Sequence, residues 1–375
     1  MAKEKQKITD NVVVRGGAVT LGISVLFFAG VFYYSSYSPH GKYLVKIDDA
    51  KSTIVDAIKN TAPTYPPLNK DAYDKKLLFL ANRPVEATST ATSTIVATTT
   101  KHYLWPVKTV YPLDGAILPF SRIIAYYGNF YSTKMGVLGE YPEDQMISML
   151  EAEMKKWRAA DPSTPVIPAI HYIVTVAQGS AGADGDWTSR MPDDQIEHAL
   201  DLGKKVNGIV FLDVQAGQST IQKEVAAITE YLKLPQVHLG IDPEFAMKGN
   251  RKPGEYIGTL DASEINDVIA MLSKIVDENN LPPKVLVVHR FTENMVTNSN
   301  LIKPTKEVQV VMTMDGWGTP QLKTGIYRQV VASEPVQFTG IKLFYKNDLR
   351  APSTGMLTPE QVVKFRPAPS YVQYQ

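Results

Sequence analysis

The stretch that decides the fold is residues 206–245, VNGIVFLDVQAGQSTIQKEVAAITEYLKLPQVHLGIDPEF. Two apolar, β-rich runs, 206–215 and 236–245, flank a segment from Thr220 to Leu232 with apolar residues at helical spacing. A strand, a helix and a second strand of this kind form a right-handed crossover between parallel strands. This unit therefore predicts a parallel β-sheet that is covered by helices.

The same alternation extends over about 260 residues on either side of this unit. Seven or eight strand–helix units in that length match a (β/α)8 barrel of the TIM type better than an open sheet. No glycine-rich nucleotide-binding motif follows any strand, which argues against a nucleotide-binding protein. The connection at 292–307 is too short for a regular helix, so the barrel is expected to be irregular. The other predicted strands are 122–130, 166–177, 284–291, 308–318 and 340–345, and the other predicted helices are Asp144–Ala159, Asp193–Val206 and Ser263–Asn279.

Composition excludes several classes of protein. The chain has 375 residues, of which 44% are hydrophobic and 21% charged, as in globular proteins. A net charge of +1 provides no field for nucleic-acid binding. The absence of cysteine removes disulfides, thiol nucleophiles and cysteine-ligated metals, so any metal site has to use histidine and carboxylates.

The N-terminal segment has the properties of a membrane anchor. Residues 16–34 form a run of 19 residues without a charge, long enough to cross most of a bilayer. Tyrosines follow at the position of the outer interface, and no convincing cleavage site for a signal peptide is present. We therefore expect a cytoplasmic tail at 1–15, an uncleaved single-pass signal anchor at 16–37, and the rest of the chain outside the cytoplasm.

A stalk is expected between this anchor and the barrel. Residues 38–110 contain a proline-rich break and, at 88–100, nine Ser/Thr in 13 residues. Such a composition buries too little apolar surface to fold and is typical of a tether. The barrel domain is accordingly predicted to span 111–375.

Polar side chains at the carboxyl ends of the predicted strands indicate where chemistry takes place, because active sites of such barrels lie at that face. Asp242 and Glu244, separated by Pro243, form the sharpest motif, since two acids in one pocket can act as proton donor and base or nucleophile. The alternative is that Asp242 caps a turn while Glu244 pairs with Arg251 or Lys252. The remaining candidates are Asp213, which is grouped with the catalytic residues, and the substrate-binding residues Asp315, Trp317, His289, Tyr127, Asn129, Gln215 and Tyr345.

Several segments resemble those of uncharacterised secreted or membrane-anchored bacterial proteins with a TIM-barrel, glycoside-hydrolase-like domain. They include YYGNFYSTKMGVLGEY, GIVFLDVQAGQST, HLGIDPEF and MDGWG, and the likeness covers roughly residues 122–375. A weaker similarity links HLGIDPEF to family 18 chitinases, whose fourth strand ends in D-x-x-D-x-D-x-E. That similarity implies that Glu244 donates the proton with Asp242 as its partner, but Gly240 and Val237 replace the two earlier acids.

Three functions agree with these patterns. The first is a hydrolase acting on cell-envelope or extracellular polysaccharide, without a cofactor or metal, in which Glu244 is the general acid and Trp317 a stacking surface for sugar. The second is a non-catalytic envelope module that binds glycan or protein. The third is a metal-dependent hydrolase that takes its ligands from His171, Asp213, Asp242, Glu244, His289 and Asp315.

Overall fold

The computed structural model describes residues 65–83 and 103–375. Eight parallel strands form a closed barrel within the second range. They are β1 (Arg122–Gly128), β2 (Val166–Ala177), β4 (Ile209–Val214), β5 (Val237–Ile241), β7 (Lys284–Arg290), β9 (Val308–Met314), β10 (Phe338–Leu343) and β11 (Tyr371–Tyr374). Three short strands, β3 (Thr188–Arg190), β6 (Leu260–Asp261) and β8 (Val296–Thr297), lie in the connections.

The barrel closes because β1 pairs in parallel with both β2 and β11. The strand order is otherwise that of the sequence, from β2 through β4, β5, β7, β9 and β10 to β11. This arrangement confirms the predicted TIM-type barrel. The eighth strand, β11, was not among the predicted strands; it has only four residues and follows a proline-containing segment.

Helices cover the outside of the barrel, and their ends follow local capping chemistry. Asp261 and Glu264 form a capping box at the start of the helix Ala262–Asn279, and Thr220 caps the helix after β4. The connection between β7 and β9 contains two short 3-10 turns and the two-residue strand β8 but no α-helix, which confirms the expected irregularity. The helices are α1 (Lys70–Leu80), α2 (Val137–Glu140), α3 (Glu143–Ala160), α4 (Asp193–Lys205), α5 (Ile221–Ala227), α6 (Thr229–Leu232), α7 (Ala262–Asn279), α8 (Pro320–Ile326) and α9 (Pro359–Val362).

The interior of the barrel has an apolar lower half and a polar upper half. Inward-facing residues near the amino ends of the strands form a small core that includes Ile123, Phe211, Val285 and Tyr371. Further along the same strands the side chains that point inward are polar and ionisable, since alternate residues of a strand share one face. The chain therefore places its titratable groups on a packed apolar floor.

Helix α1 packs below the barrel, although its sequence lies within the predicted stalk. Tyr73 of this helix is buried and belongs to the same apolar cluster as Leu118 and Ile123. The predicted anchor at 16–37 and the tether at 88–100 lie outside the described residues. None of the helices within 65–83 and 103–375 combines the length and the apolar character needed to cross a bilayer.

Candidate active site

The carboxyl ends of the strands surround an open cavity of about 610 Å³. Its floor is made by side chains that point inward from β1, β5, β9 and β10, and its rim by the loops after these strands. This position is the working face of a parallel barrel. The lining includes the acids Asp242, Glu244 and Asp315, the cation Lys342, the amides Gln178, Gln215 and Gln375, and the aromatic residues Tyr127, Phe245, Phe291, Trp317 and Phe344.

Three carboxylates converge in this cavity. Oxygen atoms of Asp242, Glu244 and Asp315 lie within 4.8 Å of one another. Strand β5 ends at Ile241, after which Asp242 caps a 3-10 turn by accepting the Glu244 backbone N–H at 3.0 Å. The turn brings both acids of the motif to the same pocket. The sequence left two alternatives for Asp242, a turn cap or a member of a site shared with Glu244. In the structure Asp242 does both.

The environment raises the pKa values of Glu244 and Asp242. Burial, together with the charge of Asp315, raises the pKa of Glu244 to about 7. Burial raises the pKa of Asp242 well above its usual value, and the nearby acids add to this effect. The site thus favours the neutral form of Asp242, while Glu244, with a pKa of about 7, exchanges its proton readily near neutral pH. Such a carboxyl group suits general acid–base chemistry.

A second cluster lies beneath the cavity and is fully buried. Asp213 Oδ1 is 3.3 Å from His171 Nε2 and 3.5 Å from His289 Nε2. The other carboxylate oxygen of Asp213 accepts a hydrogen bond of 2.9 Å from the Tyr127 hydroxyl. A hydrogen bond of 3.1 Å joins His289 Nδ1 to Asp315 Oδ2. His289 thereby links the buried cluster to the carboxylates of the cavity.

The two histidines of this cluster differ in protonation. Burial lowers the pKa of His171 to about 4, so its ring is neutral. Burial would also lower the pKa of His289, but the charges of Asp213 and Asp315 outweigh it and raise that pKa to about 10. The pKa of Asp213 lies well below its usual range, because attraction to His289 and His171 overcomes the effect of burial. His289 thus lies between the carboxyl groups of Asp213 and Asp315, at distances of 3.5 Å and 3.1 Å.

Lys342 supplies a buried positive charge to the site. Its ammonium lies 3.7 Å from the centre of the Tyr127 ring, and the side chain is almost completely buried. Burial lowers the pKa of Lys342, whereas the surrounding acids oppose that shift. The group offsets part of the negative charge gathered in the cavity.

Gly240 provides the space that this arrangement requires. It pairs with Asp213 in the β4–β5 register. A Cβ atom at Gly240 would lie 2.2 Å from Asp213 Oδ1 and 2.5 Å from His171 Nε2. We predict that Gly240→Ala lowers the free energy of unfolding by about 1–3 kcal/mol or more, because these packed side chains have to shift. Denaturant unfolding measures the loss.

The matched control is Gly325→Ala in α8, where a Cβ meets no atom within 4 Å. Its unfolding free energy is expected to stay unchanged or to rise by up to about 1 kcal/mol, since alanine favours a helix over glycine. Equal stability of the two variants would contradict the packing role of Gly240.

The structure brings most of the predicted site residues to this end of the barrel, though not all to the cavity. Tyr127 and Gln215 line it together with the three acids, and Trp317 stands at the rim with 52% of its surface exposed. Asp213 and His289 lie underneath and are inaccessible. Neither of them can touch a substrate directly.

Two predicted binding residues lie elsewhere. The Asn129 amide donates to the Ile173 carbonyl at 2.9 Å, and Asn129 Oδ1 accepts from the Tyr131 backbone N–H. Tyr345 packs on the outer side of the barrel wall, where its hydroxyl is 2.8 Å from that of Tyr126. Both residues therefore support the structure around the site and do not line the cavity.

The sequence-based assignment of site residues omitted several that line the cavity. Lys342 is the clearest case, although its strand-end position in GIKLFY was a usable signal. Gln375, Phe245, Phe291 and Phe344 are the others that matter for binding. In the sequence, the aromatic residues that line the cavity look the same as aromatic residues of the core. No local pattern therefore identifies them as cavity residues.

No protein-family model and no curated protein matches this sequence. Among solved structures, the chain is similar to the cellulase Cel5C_n, with 12% identity over 59% of this chain and a TM-score of 0.35. The match spans 65% of that cellulase. A hyperthermophilic endo-beta-1,4-glucanase shows 10% identity over 68% of this chain and 89% of its own, with a TM-score of 0.36.

A third similar structure is a sugar phosphate isomerase/epimerase from Parabacteroides distasonis. It shows 7% identity over 69% of this chain and 88% of its own, with a TM-score of 0.32. Likenesses of this strength carry no information about activity. The function has to be argued from the site itself.

Proposed function

We propose that this protein is a glycoside hydrolase that cleaves polysaccharide by general acid–base and nucleophilic catalysis. The observation that carries the proposal is the convergence of Asp242, Glu244 and Asp315 within 4.8 Å in an open cavity. A pair of carboxyl groups, one protonated and one ionised, is the chemical requirement for hydrolysis of a glycosidic bond.

Glu244 is the general acid in this proposal. It lies at the end of β5 and faces the cavity, and its pKa of about 7 keeps a proton available near neutral pH. It protonates the glycosidic oxygen as the bond to the leaving sugar breaks. The resulting carboxylate then removes a proton from the attacking water, so the same group acts first as acid and then as base.

Asp315 is the nucleophile. It lines the cavity from the end of β9, and its Oδ2 forms a hydrogen bond with His289 Nδ1. Asp242, in contrast, is buried with a raised pKa and accepts the Glu244 backbone N–H, which suits a residue that positions its neighbour. Oxygens of Glu244 and Asp315 lie within 4.8 Å of each other, nearer than the ~6.5–9.5 Å between the carboxyl groups of inverting enzymes, so we propose retention of configuration.

The rest of the cavity lining suits a sugar. Aromatic rings offer faces for the apolar side of a pyranose, and the side-chain amides of Gln178, Gln215 and Gln375 offer donors and acceptors for hydroxyl groups. Trp317 extends this surface outward at the exposed rim. The cavity is open, which supports a polymer as the substrate, because sugar units on either side of the cleaved bond can extend out of the cavity.

The test is a hydrolysis assay of the purified full chain against soluble β-glucans, mannans and peptidoglycan, with release of reducing sugar as the measurement. A 2-deoxy-2-fluoro glycoside with a good leaving group supplies a mechanistic probe. A retaining enzyme is expected to form a stable adduct on a peptide containing Asp315, seen by mass spectrometry. Absence of hydrolysis across the panel and of any adduct would overturn the proposal.

The pH dependence of kcat/KM follows from the acidity of Glu244. Catalysis needs this group protonated, and its pKa is raised to about 7. We therefore predict that kcat/KM falls as pH rises above about 7, approaching tenfold per pH unit. Initial rates between pH 5 and pH 9 check this, with circular dichroism as the control for folding. A rate that stays constant to pH 9 would contradict the assignment.

A further inference from the structure

We infer that the buried cluster of His171, Asp213 and His289 is a binding site for a divalent transition metal of the zinc type. The inference departs from the first of the three functions predicted from the sequence, which uses no metal, and takes its ligands from those named for the third. It does not depend on the proposed hydrolase activity. It rests on the direction in which three fully buried ligand atoms point and on how each of their residues is held.

The three atoms do not satisfy one another. His171 Nε2, His289 Nε2 and Asp213 Oδ1 are buried and make no hydrogen bond with any described residue. The distances from the oxygen to the two nitrogens, 3.3 Å and 3.5 Å, exceed the ~2.7–2.9 Å of a charge-assisted hydrogen bond. Buried polar atoms normally have partners, so three orphaned atoms within 4.8 Å indicate a missing common partner.

The spacing fits a tetrahedral ion. Two ligand atoms at about 2.0–2.1 Å from zinc, at the tetrahedral angle, lie about 3.3–3.4 Å apart. The two oxygen–nitrogen distances, 3.3 Å and 3.5 Å, are close to that edge, whereas octahedral geometry at the same bond length gives about 2.9 Å. Two imidazole nitrogens and one carboxylate oxygen favour zinc and similar metals over calcium or magnesium, which prefer oxygen ligands.

Each ligand is also oriented by a partner on its far side. His171 Nδ1 lies 2.6 Å from the Tyr371 hydroxyl, which accepts a hydrogen bond from Gln373 at 2.8 Å. His289 Nδ1 pairs with Asp315, and the Tyr127 hydroxyl holds the second oxygen of Asp213. Metal-binding histidines characteristically use their other nitrogen in this way, with a carboxylate as a frequent partner.

Space for the ion is provided by Gly240, which presents no side chain to the ligands. An ion at this point lies under the floor of the cavity and acts on Asp315 through His289. It would supply positive charge beneath the carboxylates. Because the three ligands are inaccessible, the ion stabilises the arrangement of the site and does not contact the substrate.

The experiment measures metal binding by the full chain, purified without a polyhistidine tag. After incubation with Zn²⁺ and gel filtration, elemental analysis is expected to give about one zinc per chain. With Co²⁺ in place of zinc, the protein is expected to show the visible absorption of a tetrahedral ion. His171→Gln and His289→Gln are each expected to weaken Co²⁺ binding by more than about 100-fold, because loss of a ligand exceeds the usual effect of outer partners.

His238→Gln is the matched control, because His238 is equally buried but lies near the amino end of β5, away from the cluster. It should bind Co²⁺ like the unchanged protein. Tyr371→Phe keeps the ring and removes the hydroxyl beside His171, with an expected 10–100-fold loss of affinity. This variant tests the site even if the histidine variants fail to fold.

Less than about 0.1 metal ion per chain with either ion, or a Co²⁺ spectrum unchanged in both ligand variants, would overturn the inference. The readout needs no substrate. A protein that binds the ion but cleaves no polysaccharide would refute the proposed hydrolase and leave the metal site in place. Hydrolysis by a protein that takes up no metal would do the reverse.

Discussion

Replacement of Glu244 by glutamine is expected to lower kcat on polysaccharide by about 10²–10⁴-fold, the usual contribution of a general acid–base group. The amide keeps the shape of the side chain but cannot donate the proton that the leaving sugar requires. The effect should depend on the substrate. An aryl glycoside with a good leaving group needs little protonation, so its first step is expected to stay fast in Glu244→Gln while polymer cleavage is lost. Steady-state and burst kinetics on the two substrates measure the difference.

Stability provides the control for this variant. Glu244 has a folded-state pKa of about 7, raised from its ordinary value of 4.5, so the unchanged protein loses stability as pH rises from about 4.5 to 7. Glutamine carries no charge at any pH. At pH 8 the variant is therefore expected to be more stable than the unchanged protein, by about 1–3 kcal/mol in the free energy of unfolding. A variant that is both less stable and inactive would point to misfolding instead of a lost proton donor.

Replacement of Asp315 by asparagine is expected to have the larger effect, a loss of at least about 10⁴-fold in kcat. Asparagine removes the nucleophile, so no glycosyl-enzyme intermediate forms and a good leaving group brings no rescue. This separates Asp315 from Glu244, for which activated substrates remain competent. Single-turnover kinetics with an aryl glycoside and detection of the adduct by mass spectrometry distinguish the two.

Asp242→Asn is the comparison variant for Asp315→Asn. Burial raises the pKa of Asp242 well above its usual value, and its Oδ1 accepts the Glu244 backbone N–H, a bond that an asparagine oxygen can also accept. We expect a smaller fall in kcat than for Asp315→Asn and a pH profile close to that of the unchanged protein, because burial and Asp315, which raise the pKa of Glu244, remain in place. A loss for Asp242→Asn equal to that for Asp315→Asn would assign the nucleophile to Asp242.

The overall fold was largely predictable because hydrophobic periodicity encodes it directly. The alternation of apolar strands and amphipathic helices from β1 to β10 is visible in the sequence, as is the missing helix between β7 and β9. Strand β11 was not predicted because its four residues contain too little periodicity to distinguish a strand from a loop. Its pairing with β1 is a long-range property that no local window contains.

The sequence predicts which residue types form the candidate site, but it does not predict how deep in the barrel each of them lies. Strand-end position correctly placed Asp242, Glu244 and Asp315 at one mouth. It could not show that Asp213 and His289 lie one layer lower, because depth in a barrel depends on how the strands are staggered against one another. The orientation of Tyr345, in contrast, follows from local alternation: with Lys342 and Phe344 facing the cavity, Tyr345 points outward.

Closure of the barrel has a consequence for biosynthesis. Ile123 of β1 pairs with Tyr371 of β11, about 250 residues later in the chain. Until that late segment is made, the free edges of β1 and β10 remain unpaired and able to join other strands. The hydrogen bond between His171 and Tyr371 likewise forms only after that segment is made. A nascent chain stalled before this point therefore exposes two unpaired strand edges, which are sites for aggregation.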